Sequence, residues 1–204
     1  MDLPCEDPEA GADRYAQVAV EAFSGAGQDL ILVGHSLGGL TIPLIAERRP
    51  VQRMVFLCAM LPEPGRIHDD LQRESPDMGL PPPRGGAYED PPGTTRWPAD
   101  AAAAWFFADC DAATAAWACA RLRGQCWKIT QEVTPLDRWP DTPSTSVIGA
   151  RDPVINPVWS RRAARSILGV DPVELATGHS PFLSAPDALA SVLVSLAEDG
   201  AGSA

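Results

Sequence analysis

Apolar positions along the chain alternate between a helical and an extended rhythm. Tyr15, Val18, Ala19, Ala22 and Phe23 recur at helical spacing, and Gly25 and Gly27 close a predicted helix over about residues 12–24. Leu30-Ile31-Leu32-Val33 follows, a short run apolar on both faces, as expected of a strand inside a parallel sheet. A second helix is predicted from about Ser36 to Arg49, burying Leu40, Leu44 and Ile45. Pro43 should bend it, because the proline ring meets the carbonyl of Gly39. Met54-Val55-Phe56-Leu57-Cys58-Ala59 reads as the next buried strand.

From Pro62 to about Pro98 the rhythm is lost. Pro81-Pro82-Pro83 and Arg84-Gly85-Gly86 mark irregular chain. Helical segments near Ala99–Ala108 and Asp111–Leu122 come next, carrying Trp105, Phe106, Phe107 and Trp117. An insertion of this length between two core strands reads as a cap over a site, so residues 62–139 are expected to form a lid within a single domain over 1–204. Alternation then returns. Ser146–Ala150 is a predicted strand, Pro157 to Leu168 a helix opened by Asn156-Pro157, and Val173–Leu175 a short strand. A last helix is opened by Pro186-Asp187 and striped with Leu189, Leu193 and Leu196. Strands alternating with helices imply an α/β fold, a mostly parallel sheet with helices on both faces.

Composition narrows the function classes. The 204 residues carry 45% hydrophobic and 21% charged positions, ordinary values for a globular domain. A net charge of −11, with no basic cluster larger than Arg161-Arg162 and Arg165, argues against nucleic acid or an anionic membrane as a partner. Neither the N-terminal residues nor any apolar run predicts a signal peptide or a membrane span. The five cysteines (Cys5, Cys58, Cys110, Cys119 and Cys126) lack zinc-type spacing and are expected to be free thiols in a reducing cytoplasm. No metal or organic cofactor is expected.

Candidate chemistry lies at the strand ends. Gly34-His35-Ser36-Leu37-Gly38 directly follows the Leu30–Val33 strand, a G-x-S-x-G turn that would expose the serine hydroxyl. Gly34 and Gly38 are expected to let strand and helix approach. The Leu37 N–H, opening the helix, is the candidate oxyanion donor. Asp152 follows the strand ending at Ala150, and His179 follows the strand ending near Leu175. Parallel sheets gather chemistry at the carboxyl ends of their strands. Ser36, Asp152 and His179 thus form a candidate nucleophile, acid and base in the order Ser, Asp, His. Glu63, just after the second strand, is the alternative acid. Of the other histidines, His35 should point away from the nucleophile, and His68 falls at the irregular start of the insertion.

These residues resemble the α/β-hydrolase fold superfamily, and within it the small esterases of the methylesterase and hydroxynitrile lyase group. Leu30 to Gly39 is similar to that group's nucleophile turn, Gly149-Ala150-Arg151-Asp152-Pro153-Val154-Ile155 to its acid turn, and Gly178-His179-Ser180-Pro181-Phe182-Leu183-Ser184-Ala185-Pro186 to its histidine loop. The resemblance implies a serine hydrolase for a small or medium carboxylic ester, thioester or lactone. It also implies a departure at the front, because the family has several strands before this turn, one with an His-Gly loop that gives the second oxyanion N–H. Asp2-Leu3-Pro4 looks like the segment after the fourth of them.

Those strands and their connections would take about 50–70 residues. The expectation is therefore an N-terminally truncated fold, with Met1 an internal methionine of a longer reading frame. The alternative is a shortened protein that pairs the bare Leu30–Val33 edge in a homodimer. Two other functions follow as alternatives: a non-catalytic binding or dimerising module, and a hydroxynitrile lyase-like enzyme. The latter resembles this chain less, since those enzymes carry a cap lysine near the base and Lys128 is the single lysine here.

Overall fold

The computed structural model describes residues 1–27 and 29–201. Four parallel strands form its central sheet: β1 (Ile31–His35), β2 (Arg53–Leu57), β5 (Ser144–Gly149) and β6 (Val173–Leu175), in the spatial order β1-β2-β5-β6. Register runs from Ile31 opposite Arg53 through Val55 opposite Thr145 to Val147 opposite Val173. Successive side chains of a strand point to opposite faces, and β2 shows the result. Met54 and Phe56 enter one apolar cluster, Val55 and Leu57 another, and all four are at most 2% exposed. Burying each is worth about 1.5–3 kcal/mol, which makes β2 the spine of the sheet.

Helices cover both faces. Tyr15, Ala16 and Ala19 of α1 (Ala12–Ala22), Leu44 and Ile45 of α2 (Ile42–Arg48), and Trp159 and Ala163 of α7 (Pro157–Ile167) join the Met54–Phe56 side. Leu189, Val192, Leu193 and Leu196 of α9 (Pro186–Ala201) close the Val55–Leu57 side. α7 starts where Asn156 accepts the Val158 N–H at 3.0 Å, with Pro157 in the first turn, where its missing N–H costs nothing. Strand β1 pairs with β2 alone among the described residues, so its other edge is open, and Val33 on it is 42% exposed. No helix among the described residues is long and apolar enough to cross a membrane. All five cysteines are free thiols, Cys58 and Cys126 buried and the others half-buried.

Two expectations are corrected. The helix predicted over Ser36–Arg49 is two elements, a 3-10 helix over Ser36–Leu40 and then α2. Pro43 sits in the first turn of α2, so it starts a helix instead of bending one. The Pro62–Pro98 stretch is not wholly irregular. It contains α3 (His68–Glu74) and a short antiparallel ribbon of β3 (Tyr88–Glu89) and β4 (Thr95–Arg96). After them come α4 (Ala99–Phe106), α5 (Ala112–Cys119) and α6 (Lys128–Gln131). Asp111 caps α5, accepting from the Ala113 and Thr114 N–H groups at 3.0 and 2.9 Å. A further short helix, α8 (Pro181–Ser184), precedes α9.

Candidate active site

Ser36 stands at the carboxyl end of β1 with φ at +52°, a left-handed conformation that a non-glycine residue adopts only under constraint. Two close approaches supply that constraint. A Cβ on Gly34 would lie 2.8 Å from the Gly38 carbonyl oxygen, and one on Gly39 would lie 2.1 Å from that of Met60. Gly38, expected to share this role, has open space where a Cβ would be. The tight packing falls on Gly39 because the turn continues as a 3-10 helix, which points that residue at the chain leaving β2. Met60 N–H also donates to the Ser36 carbonyl at 3.0 Å, tying the turn to the same segment.

Asp152 and His179 meet across the ends of β5 and β6. Their side chains are 3% and 2% exposed, and Asp152 Oδ2 lies 2.9 Å from His179 Nδ1. The other carboxylate oxygen accepts the Val154 and Ile155 N–H groups at 2.8 and 3.1 Å, which fixes the acid in place. A carboxylate only accepts, so Nδ1 carries a proton in this bond, which in the neutral imidazole leaves the lone pair on Nε2. Among the described residues neither Nε2 nor the Ser36 hydroxyl has a hydrogen-bond partner, and the Leu37 N–H donates to none. Glu63, the alternative acid, faces Arg66 at 4.0 Å and makes no bond to His179.

His35, expected to point away from the nucleophile, packs against the base. It lies 4.7 Å from the His179 ring, and its Nε2 is 2.8 Å from the His179 carbonyl oxygen. Burial, then the neighbouring His179, pushes its pKa down to about 3. His35 is therefore neutral at pH 7, with Nε2–H donating to that carbonyl. Cys58, at φ +44° just after β2, has its Sγ 3.9 Å from the Gly178 carbonyl oxygen. Burial and then the Asp152 charge push its thiol pKa far up, which leaves it a poor nucleophile.

The insertion between β2 and β5 reaches this centre through aromatic side chains. Trp105 Nε1 donates to the Pro153 carbonyl at 2.7 Å, beside the acid. Phe106 lies 6.1 Å from the His179 ring, with Trp97 and Trp105 packed behind it at 5.4 and 5.3 Å. Asp109, which has no local sequence signal, accepts the Gly178 N–H at 2.6 Å. His68 is not in loose chain; it is buried in α3 with neither ring nitrogen bonded, and burial lowers its pKa to about 4. Lys128 is engaged elsewhere, its Nζ 2.9 Å from the Glu9 carbonyl oxygen and 3.1 Å from the Glu9 carboxylate.

Beside β1 runs a groove of about 430 Å³ whose walls include Tyr15, Val33, His35, Leu37 and Thr41 but neither Ser36 nor His179. No group of three or more His, Cys, Asp or Glu side chains among the described residues could hold a metal ion.

Comparison with known proteins bears on the whole arrangement. A probable esterase, PIR7A, of Oryza sativa subsp. indica is 37% identical over 85 residues, 37% of this chain and 32% of that protein. The match thus spans about a third of the length of that relative. An alpha/beta hydrolase, nvfD, of Aspergillus novofumigatus is 27% identical over 200 residues, 91% of this chain and 75% of its own. Among solved structures, the methylesterase MES16 from Arabidopsis superposes with a TM-score of 0.71 at 19% identity, covering 91% of this chain and 77% of that one, a likeness of fold. The alpha/beta hydrolase family model matches residues 1–192, nearly the whole chain, and the chain belongs to the alpha/beta hydrolase family.

Proposed function

We propose that this protein is a serine hydrolase that cleaves a small or medium carboxylic ester, thioester or lactone through an acyl-enzyme. The observation that carries the reading is the buried His179–Asp152 hydrogen bond at 2.9 Å, with His35, the residue before the strained Ser36, packed 4.7 Å from the His179 ring. His179 Nε2 takes the proton as Ser36 Oγ attacks the carbonyl carbon, and returns it to the departing alcohol or thiol. Asp152 holds the imidazole tautomer and stabilises the imidazolium. The Leu37 N–H, free at the start of its 3-10 helix, meets the developing oxyanion. Water then repeats the sequence on the acyl-enzyme. Residues 62–139 act as the cap, and Trp97, Trp105 and Phe106 favour an apolar substrate group beside the base. These steps call on no cofactor, and the free thiols suit a cytoplasmic protein.

A fluorophosphonate probe tests the reading directly. Labelling of folded protein at Ser36, lost in Ser36→Ala and strongly slowed in His179→Ala, is the expected result. A folded chain that neither labels nor turns over an activated aryl ester would overturn it.

One observation favours a second reading, a non-catalytic module that dimerises or binds through the sheet edge: among the described residues β1 is unpaired on one side and Val33 is exposed there. Light scattering across a concentration series reads self-association. Efficient ester turnover would rule out the non-catalytic part.

A further inference from the structure

We propose that Asp109 is a positioning residue for the base: its carboxylate holds the Gly178 amide and so sets where the His179 imidazole sits, linking cap to base. The inference rests on the hydrolase reading above and adds a residue to its machinery.

Asp109 lies in the turn between α4 and α5, 69 residues from Gly178 in sequence, and its Oδ2 accepts the Gly178 N–H at 2.6 Å. Gly178 directly precedes His179, so this bond fixes the Thr177–Gly178 peptide, one unit before the peptide that carries the imidazole residue. The rest of the loop is held by the core. Ala150 and Arg151 N–H groups donate to Leu175 and Thr177 carbonyls at 2.8 and 2.9 Å, and His35 donates to the His179 carbonyl at 2.8 Å. A Cβ on Gly149 would lie 2.2 Å from the Gly178 carbonyl oxygen, so that side is packed shut. Only the N–H side of Gly178 is anchored by the insertion.

The second oxygen of the same carboxylate argues that stability is not the reason for it. Asp109 Oδ1 is buried with no hydrogen-bond partner among the described residues. A carboxylate oxygen stripped of water and left without a donor weakens a fold, and such groups call for another explanation. The place of Asp109 supplies one. Trp105 and Phe106, which bear on the acid turn and the imidazole, lie on the same short segment. A substrate that shifts this aromatic wall shifts the anchor of the base with it.

The test uses the full chain with Asp109→Ala and Asp109→Asn, checked for folding by circular dichroism. Two signals report on geometry without needing activity: the Gly178 backbone amide, and the His179 Nδ1–H proton in the bond to Asp152. In the Ala variant the amide should move upfield and exchange faster, and the Nδ1–H signal should broaden. Fluorophosphonate labelling and kcat should fall about 10- to 100-fold, with KM little changed, the scale expected when a supporting group is lost and a reacting group shifts. Asn keeps an acceptor oxygen and should fall between Ala and wild type in every readout. Wild-type labelling together with a protected Gly178 amide in the Ala variant would overturn the proposal. Should Ala not fold, the Asn variant decides, because a neutral acceptor must still shift the amide and slow labelling; no change in either overturns it. If wild type itself never labels, the hydrolase reading fails, while the two proton signals still say whether Asp109 sets the imidazole.

Discussion

Replacing Gly39 with alanine separates the packing seen in the structure from the spacing of the motif. The new Cβ would sit 2.1 Å from the Met60 carbonyl oxygen and 2.9 Å from Ala59 Cβ. Ordinary contact is about 3.5 Å, so the main chain after β2 must move by more than about 1 Å. Overpacking of this kind costs about 1–3 kcal/mol. Displacing Met60 also strains its bond to the Ser36 carbonyl, worth about 1 kcal/mol. Against this, alanine gains about 0.5–1 kcal/mol over glycine in a helix. The net expectation is a loss of about 1–3.5 kcal/mol, or about 2–14 °C in Tm for a domain of this size. Gly38→Ala, whose Cβ meets nothing within 4 Å, should stay within about 1 kcal/mol of wild type. Thermal melts of the two variants side by side, followed by circular dichroism, decide the matter. Equal Tm values, or a larger fall for Gly38→Ala, would refute the packing argument.

Acid stability should depend on His68, whose pKa is about 4 in the fold against about 6.5 unfolded. The unfolded chain then binds more protons between those values, so stability falls as pH drops from 6.5 toward 4. His68→Leu should recover about 2 kcal/mol more at pH 5 than at pH 7 in urea titrations, and an equal effect at both would refute it. Asp152→Asn should lower kcat by up to about 10⁴-fold, as in the serine-protease precedent, with Tm read in parallel to exclude unfolding. Trp105→Phe removes the bond to the Pro153 carbonyl and should cost about 1 kcal/mol in a denaturant melt while raising KM for apolar esters.

What could be read from the chain was whatever is local. β2 is legible because a short apolar run between turn signals leaves few other choices, and Ser36, Asp152 and His179 stand out because each follows a predicted strand. α3 and the β3–β4 ribbon are not legible, for the converse reason. They are short and poorly periodic, and they are held by surroundings that no local window contains. Gly39 and Gly38 cannot be told apart by spacing, since only the course of the Met60 backbone distinguishes them. Asp109 and the inward turn of His35 depend on partners 69 and 144 residues away, and nothing near either residue announces the contact.

The unpaired side of β1 bears on how the purified protein should be handled. Among the described residues that side carries unmatched main-chain groups, a template for pairing with other molecules, and the net charge of −11 opposes their approach. Concentrated salt, or buffer near the isoelectric point, would remove that repulsion, so turbidity should set in there before any loss of secondary structure.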